Sequence, residues 1–152
     1  MLVGTELLAS DFYQQAIAAS NSTGAVMKYL KRAFLNEQEH YQSVAGIISG
    51  AYSVPAVSGD FDFSYPSGTF DTESSILKFA TQLESTLLGA YLGAVGAIQT
   101  NSFKTGLAQI AACEAQHQSY FTAMTGGKTF NLSFPPALTI QQASDAFSAY
   151  AA

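Results

Sequence analysis

Apolar residues recur at alternating steps of three and four along four long segments of the chain, which predicts four amphipathic helices. We place these helices at residues 2–19, 24–49, 73–99 and 102–124. Short turns separate the first helix from the second and the third from the fourth. Each of these two pairs is therefore expected to form an antiparallel hairpin.

Two segments without helical periodicity complete the chain. Residues 50–72 contain prolines, glycines and aromatic residues, and are long enough to return along a helix, so we expect a crossover between the hairpins. In the tail, residues 125–152, Thr139 is expected to cap a short C-terminal helix over residues 140–150. The prediction is an all-α single domain, a four-helix bundle of two antiparallel hairpins joined by a long crossover, plus that short helix.

Each predicted hairpin carries the same polar residues on an otherwise apolar stripe. The pattern is a Glu with a Tyr seven positions later, followed on the next helix by Glu-x-x-His. It uses both histidines of a chain in which only 11% of the residues are charged, so chance is a poor explanation. The residues are Glu6, Tyr13, Glu37 and His40 in the first copy, and Glu84, Tyr91, Glu114 and His117 in the second.

This pattern predicts metal binding. Residues three apart project from the same helix face, so each Glu-x-x-His can direct a carboxylate and an imidazole at one point. Buried carboxylates without compensation cost several kcal/mol, and none of the six Lys and Arg residues falls on these stripes. Four carboxylates and two imidazoles suffice for two metal ions. Oxygen-rich ligand sets with one nitrogen each favour iron or manganese over copper or structural zinc.

With these motifs the chain resembles the ferritin-like di-metal carboxylate superfamily, in which two helices give a Glu each and two give Glu-x-x-His. The segments NEQEHYQSVAG, QLESTLLGAYLGAV and AACEAQHQSYF are most similar to small ferritin-like domain proteins grouped with desiccation-related and stress-response proteins. The resemblance implies that Tyr13 and Tyr91 hydrogen-bond ligands of the opposite hairpin. It also implies six ligands: Glu6 and Glu84 as terminal ligands, Glu37 and Glu114 as bridges, and His40 and His117 as nitrogen ligands.

The resemblance implies a redox-active protein with two iron or two manganese ions, acting on dioxygen or peroxide as a ferroxidase, oxidase or catalase. No residue is assigned as catalytic, and electrons must come from outside because the chain has no CxxC pair. The alternative is an exported structural or self-assembling protein in which the two metals mainly stabilise the bundle. The small residues of GAYLGAVG suit either internal helix packing or a contact in a homo-oligomer.

Composition argues against other partners. A net charge of -5 without a basic run disfavours nucleic acid and anionic membrane surfaces, and no apolar stretch is long enough for a membrane span. We expect no nucleotide site and no haem, since Met27 is expected to pack. The compartment is left open, with export after removal of a signal slightly favoured over the cytoplasm.

Other residues near the motif are expected to lie outside the site. Glu39 points away from Glu37 around the helix, and Asp11 lies off the stripe. Cys113, between alanines and a ligand, is expected to be a small buried residue. Tyr41 and Tyr120 flank the histidines and are expected to pack, with a radical or access-channel role as the alternative.

Overall fold

The computed structural model describes residues 1–51, 56–128 and 133–151. Part of the predicted crossover, 52–55, and parts of the tail, 129–132 and 152, lie outside the described residues. Within them the only β-structure is an isolated antiparallel bridge between Phe63 and Ala151. The helices are α1 (Leu2–Ala19), α2 (Ala25–Ala51), α3 (Glu73–Ala97), α4 (Asn101–Met124) and α5 (Ile140–Ser148).

The helix ends follow local signals in the sequence. Gly24 and Gly126 adopt positive φ angles of 70° and 75° before α2 and after α4, a conformation that glycine reaches without steric strain. Thr139 caps α5 as predicted: its hydroxyl accepts from the Gln142 backbone N–H, and Gln142 Oε1 accepts from the Thr139 N–H. In the described parts of the chain, no helix has the length and apolar character needed to cross a membrane.

The described residues divide into two compact units, the first comprising Met1–Glu73 and Phe147–Ala152. Here α1 packs along α2, and the connection between them, residues 20–24, is too short for anything but an antiparallel pair. Fully buried apolar residues such as Phe12 and Leu30 form its core.

Aromatic side chains anchor the segment after α2 to the first unit. Tyr65 donates a hydrogen bond to Asp11 Oδ2 at 2.8 Å, and its ring contacts Phe12 and Phe70, with centroids 5.9 and 5.2 Å away. The Phe12 and Phe70 rings stack at 5.7 Å. Aromatic contacts therefore hold this segment against α1.

The second unit, Ser74–Ala146, contains α3, α4 and most of α5. Residues 98–100 connect α3 to α4. The segment before α5 lies against α3: the Leu138 N–H donates to the Gly89 carbonyl at 2.8 Å, and no side chain fits at Gly93, where the Leu138 backbone passes. Glycine at both positions is what allows this approach.

Candidate metal centre

Four glutamates lie in the core, each with none of its surface exposed. They occupy the stripes of α1, α2, α3 and α4 that otherwise bury apolar residues, as the periodicity predicts. His40 and His117 are also buried, at 9% and 4% exposure. The glutamates are Glu6, Glu37, Glu84 and Glu114.

In the first unit, the hairpin brings three of the predicted ligands together. Glu6 lies 13 positions before the end of α1 and His40 lies 15 positions after the start of α2, so the antiparallel pairing sets them side by side. His40 Nδ1 is 3.6 Å from Glu6 Oε2 and 3.4 Å from Glu37 Oε2. One donor atom of each residue lies within 4.8 Å of the other two.

The second unit repeats this arrangement on α3 and α4. His117 Nδ1 is 3.4 Å from Glu84 Oε1 and 3.4 Å from Glu114 Oε2. These three residues also offer donor atoms that all lie within 4.8 Å of one another. We call the two clusters the first triad (Glu6, Glu37, His40) and the second triad (Glu84, Glu114, His117).

The charge of the carboxylates is not balanced by buried Lys or Arg. All six of these residues fall in the described part of the chain; five are exposed, and Lys104 is half-buried. Burial and, to a lesser extent, the negative charge of Glu114 raise the pKa of Glu84 to about 8, while His117 opposes the increase. In the metal-free chain Glu84 therefore retains a proton at neutral pH.

Each triad is chemically suited to a metal ion. Carboxylate oxygens are hard donors and an imidazole nitrogen is a borderline one, and both bind divalent first-row metals. A cation would also offset the cost of burying the carboxylates. In each triad the imidazole presents Nδ1 towards both carboxylates, so one ion can be reached by all three residues. The buried Glu and His residues could thus hold metal ions; their assignment as ligands stays a prediction.

Tyr13 and Tyr91 are completely buried on α1 and α3. Tyr13 packs edge-on against Phe12, with ring centroids 5.1 Å apart. Burial of this kind is consistent with a role beside the metal ligands, but the implied hydrogen bonds to ligands of the opposite hairpin stay a prediction.

Four of the residues expected to lie outside the site are exposed or make contacts of other kinds. Glu39 is exposed, and Asp11 accepts hydrogen bonds from Tyr65 and Gln15. Tyr41 donates to the Ala56 carbonyl at 3.0 Å, which holds the following segment against α2. The Tyr120 ring packs edge-on against Phe121.

The expectation for Cys113 was wrong. It is half-exposed rather than buried, and its Sγ lies 3.6 Å from His117 Nε2. A histidine that binds a metal through Nδ1 carries its proton on Nε2, where the sulfur can accept it and fix the ring orientation. The signal was present in the sequence, because residues four apart on a helix face each other. Asn36 has the same spacing from His40.

Replacing Cys113 by valine, which keeps the volume but removes the acceptor, is expected to weaken metal binding at the second triad by about tenfold. Cys113→Ser retains an acceptor and is expected to bind metal more tightly than Cys113→Val. Competition titrations with a chelator measure both affinities. Equal affinities for the wild type and Cys113→Val would show that the sulfur does not position His117.

Comparison with known proteins gives the family. No curated protein matches the chain. A family model described as the ferritin-like domain matches residues 2–127, which include all four long helices and both triads. This match confirms the ferritin-like, all-α fold expected from the sequence, with four long helices and a short C-terminal one. The chain therefore belongs to the ferritin-like domain family.

Proposed function

We propose that this protein binds two iron or two manganese ions as one dinuclear centre, with one ion at each triad. The observation that carries the proposal is the complete burial of four carboxylates, each within 3.6 Å of a buried imidazole. In the proposed centre Glu6 and Glu84 would be terminal ligands, and Glu37 and Glu114 would be shared. This assignment rests on the repeated motif and on the family.

Charge balance supports two divalent ions. Four ionised carboxylates carry a charge of -4, which two divalent ions neutralise without help from Lys or Arg. Each triad supplies two carboxylates and one imidazole and no thiolate, a composition that favours iron or manganese over structural zinc. Copper sites usually contain more histidines or sulfur ligands.

The residues of the second triad also handle a proton. Because the pKa of Glu84 is raised to about 8, its carboxyl group is mostly protonated at pH 7 in the metal-free chain. Metal binding requires the carboxylate, so this proton must leave when the ion binds. In the metal-free chain His117 Nδ1, 3.4 Å from Glu84 Oε1, favours the ionised carboxylate and so opposes this protonation.

We further propose that the centre reacts with dioxygen or peroxide. Two such ions can together supply two electrons, which with two protons reduce one hydrogen peroxide to two water molecules. The carboxylates of both triads have none of their surface exposed, so bulk water is kept away from them. The single cysteine leaves no internal thiol pair as electron source, so an external donor is required.

Metal analysis tests the dinuclear centre. Stripped protein, reconstituted with Fe(II) or Mn(II) without oxygen and desalted, is expected to retain about two ions per chain. Glu37→Gln and Glu114→Gln are each expected to lose at least one ion, because a shared ligand serves both. The matched control is Glu39→Gln, an exposed glutamate on the same helix as Glu37, which should retain both ions. Retention of no metal by the wild type would contradict the proposal.

The alternative function is structural, with the ions acting mainly to stabilise the helices in an exported or self-assembling protein. Large exposed apolar side chains near the C-terminal helix favour assembly, since Phe134 is 91% and Ile140 68% exposed. Oxygen and peroxide consumption by the metal-loaded protein distinguishes the two functions. Two bound ions with turnover support the redox function, whereas two bound ions without turnover, and a raised melting temperature, support the structural one.

A further inference from the structure

A cavity of about 460 Å³ lies within the first unit, between α1, α2 and the segment after α2. Its volume falls in the range of small-molecule binding sites. The residues that line it are not the proposed metal ligands. Residues other than those ligands therefore determine which ligand the cavity can bind.

The charges around the cavity exclude most anions. Asp11 is the one formally charged residue among the described residues that line it, and no Lys, Arg or His contributes. Asp11 Oδ2 already accepts hydrogen bonds from Tyr65 and from Gln15 Nε2, both at 2.8 Å. A phosphate or carboxylate ligand would find no counter-charge here and would meet a negative side chain.

The polar lining consists mainly of groups that both donate and accept hydrogen bonds. Gln14 of α1 and Gln38 and Gln42 of α2 each provide an amide with two N–H donors and one carbonyl acceptor. Ser10 and Ser58 add hydroxyl groups on either side. Ligand hydroxyls, which also donate and accept, match such a lining better than groups that only donate or only accept.

Aromatic rings form the apolar part of the wall. Phe34 comes from α2, while Phe61 and Phe63 come from the segment after α2. The Phe61 and Phe63 rings stack at 5.7 Å, and both lie edge-on to Phe147, at 5.2 and 6.1 Å. These contacts fix the wall in place before any ligand arrives, which lowers the entropic cost of binding.

We propose that this cavity binds a neutral saccharide of one or two rings. A sugar ring offers hydroxyl groups around its edge for the three amides and a face of C–H groups for the phenylalanine rings. It carries no charge and so suits a lining with no cation. The available volume accommodates one or two such rings but not a long oligosaccharide.

Heteronuclear NMR with the full chain and maltose tests the proposal. Maltose at millimolar concentrations is expected to shift the side-chain amide signals of Gln14, Gln38 and Gln42 in a saturable way, and to leave that of Gln109 unchanged. Gln109 is an exposed glutamine on α4, outside the cavity. Such contacts would give a dissociation constant of about 50 mM at the weakest. The proposal fails if maltose at about 50 mM shifts none of the three signals.

Substitutions provide an independent measurement. Gln38→Ala and Gln14→Ala are each expected to weaken maltose binding about three- to tenfold, while Gln109→Ala leaves it unchanged. Ser10→Trp, which fills the cavity, is expected to abolish binding while far-UV circular dichroism stays that of the wild type. Equal maltose affinity in Gln38→Ala, Gln14→Ala and the wild type would overturn the assignment.

Two other probes separate the saccharide from competing ligands. Choline, a quaternary ammonium compound, would use the phenylalanine faces together with Asp11. Sodium phosphate tests for an anion. Saturable shifts of the same amides by choline or phosphate, with none by maltose, would replace the proposal with a cation or anion site, whereas shifts by maltose alone support it.

Discussion

The metal-free protein is expected to lose stability as the pH rises from about 5 to about 8. The pKa of Glu84 is about 8 in the folded chain and near 4.5 when the group is solvated, so the folded state holds a proton that the unfolded state releases. This contribution to stability is fully present below pH 4.5 and is lost as the pH rises through 8. A difference of this size corresponds to on the order of 5 kcal/mol in the free energy of unfolding.

Glu84→Gln tests the origin of this loss. The amide cannot ionise, so the metal-free variant is expected to be more stable than the wild type at pH 8 and to show a flatter pH dependence. Comparing the two proteins isolates the contribution of Glu84 from that of the other titratable groups. Urea unfolding of the stripped proteins at several pH values measures it, with Glu39→Gln as the control that should behave as the wild type. Stability that rises from pH 5 to pH 8 in the stripped wild type would contradict the expectation.

Bound metal should reverse the direction of the pH effect. An ion binds the ionised carboxylate, so apparent metal affinity is expected to rise with pH as the proton leaves Glu84. Without metal, Glu84→Gln is therefore expected to be more stable than the wild type at alkaline pH. With metal, it is expected to lack the stabilisation that the ion gives the wild type. The same side chain thus opposes folding of the empty chain at alkaline pH and supports the loaded one.

Replacing Gly93 by alanine is expected to destabilise the protein by about 3 kcal/mol. A Cβ atom at this position of α3 would overlap the carbonyl oxygen of Leu138, which is backbone and cannot rotate away. The segment before α5 must therefore move, and the hydrogen bond from Leu138 N–H to the Gly89 carbonyl is lost with it. The cost exceeds the roughly 1 kcal/mol that alanine gains over glycine within a helix.

Gly96→Ala is the matched control, because it lies on the same helix with nothing within 4 Å of a Cβ atom. It is expected to match the wild type or to be up to about 1 kcal/mol more stable. Urea unfolding measures the three proteins, and limited proteolysis before α5 reports whether the segment has come away. Similar stability in Gly93→Ala and Gly96→Ala would show that the Leu138 contact contributes little.

The features that the sequence predicts depend on contacts between residues that are close together in the chain. The spacing of Glu37 and His40 on one helix fixes their common direction, and a short turn between α1 and α2 is enough to bring Glu6 beside them. The bounds of α1 agree with its hydrophobic period, while α2 continues two residues beyond the predicted end. There, the Ser49 hydroxyl donates to the Ala45 carbonyl within the helix.

The rest depends on contacts between residues far apart in the chain. Nothing in the pattern around Gly93 indicates that Leu138, 45 positions later, lies against it. The cavity is similar, because it needs Phe61 and Phe63 to fold back over α1 and α2. Cys113 differs from both, because its distance from His117 follows from helix geometry. The expectation that it is buried rested on the usual place of cysteine in protein cores.

Each triad is complete within a single hairpin, since neither needs a side chain from the other pair of helices to bring its own two carboxylates and imidazole together. The residues around each triad, unlike the triad residues themselves, can therefore diverge separately in the two hairpins. The neighbours of the two histidines already differ, with Asn36 four positions before His40 and Cys113 four positions before His117. Selection can thus change such a neighbour in one half without changing any residue of the two triads.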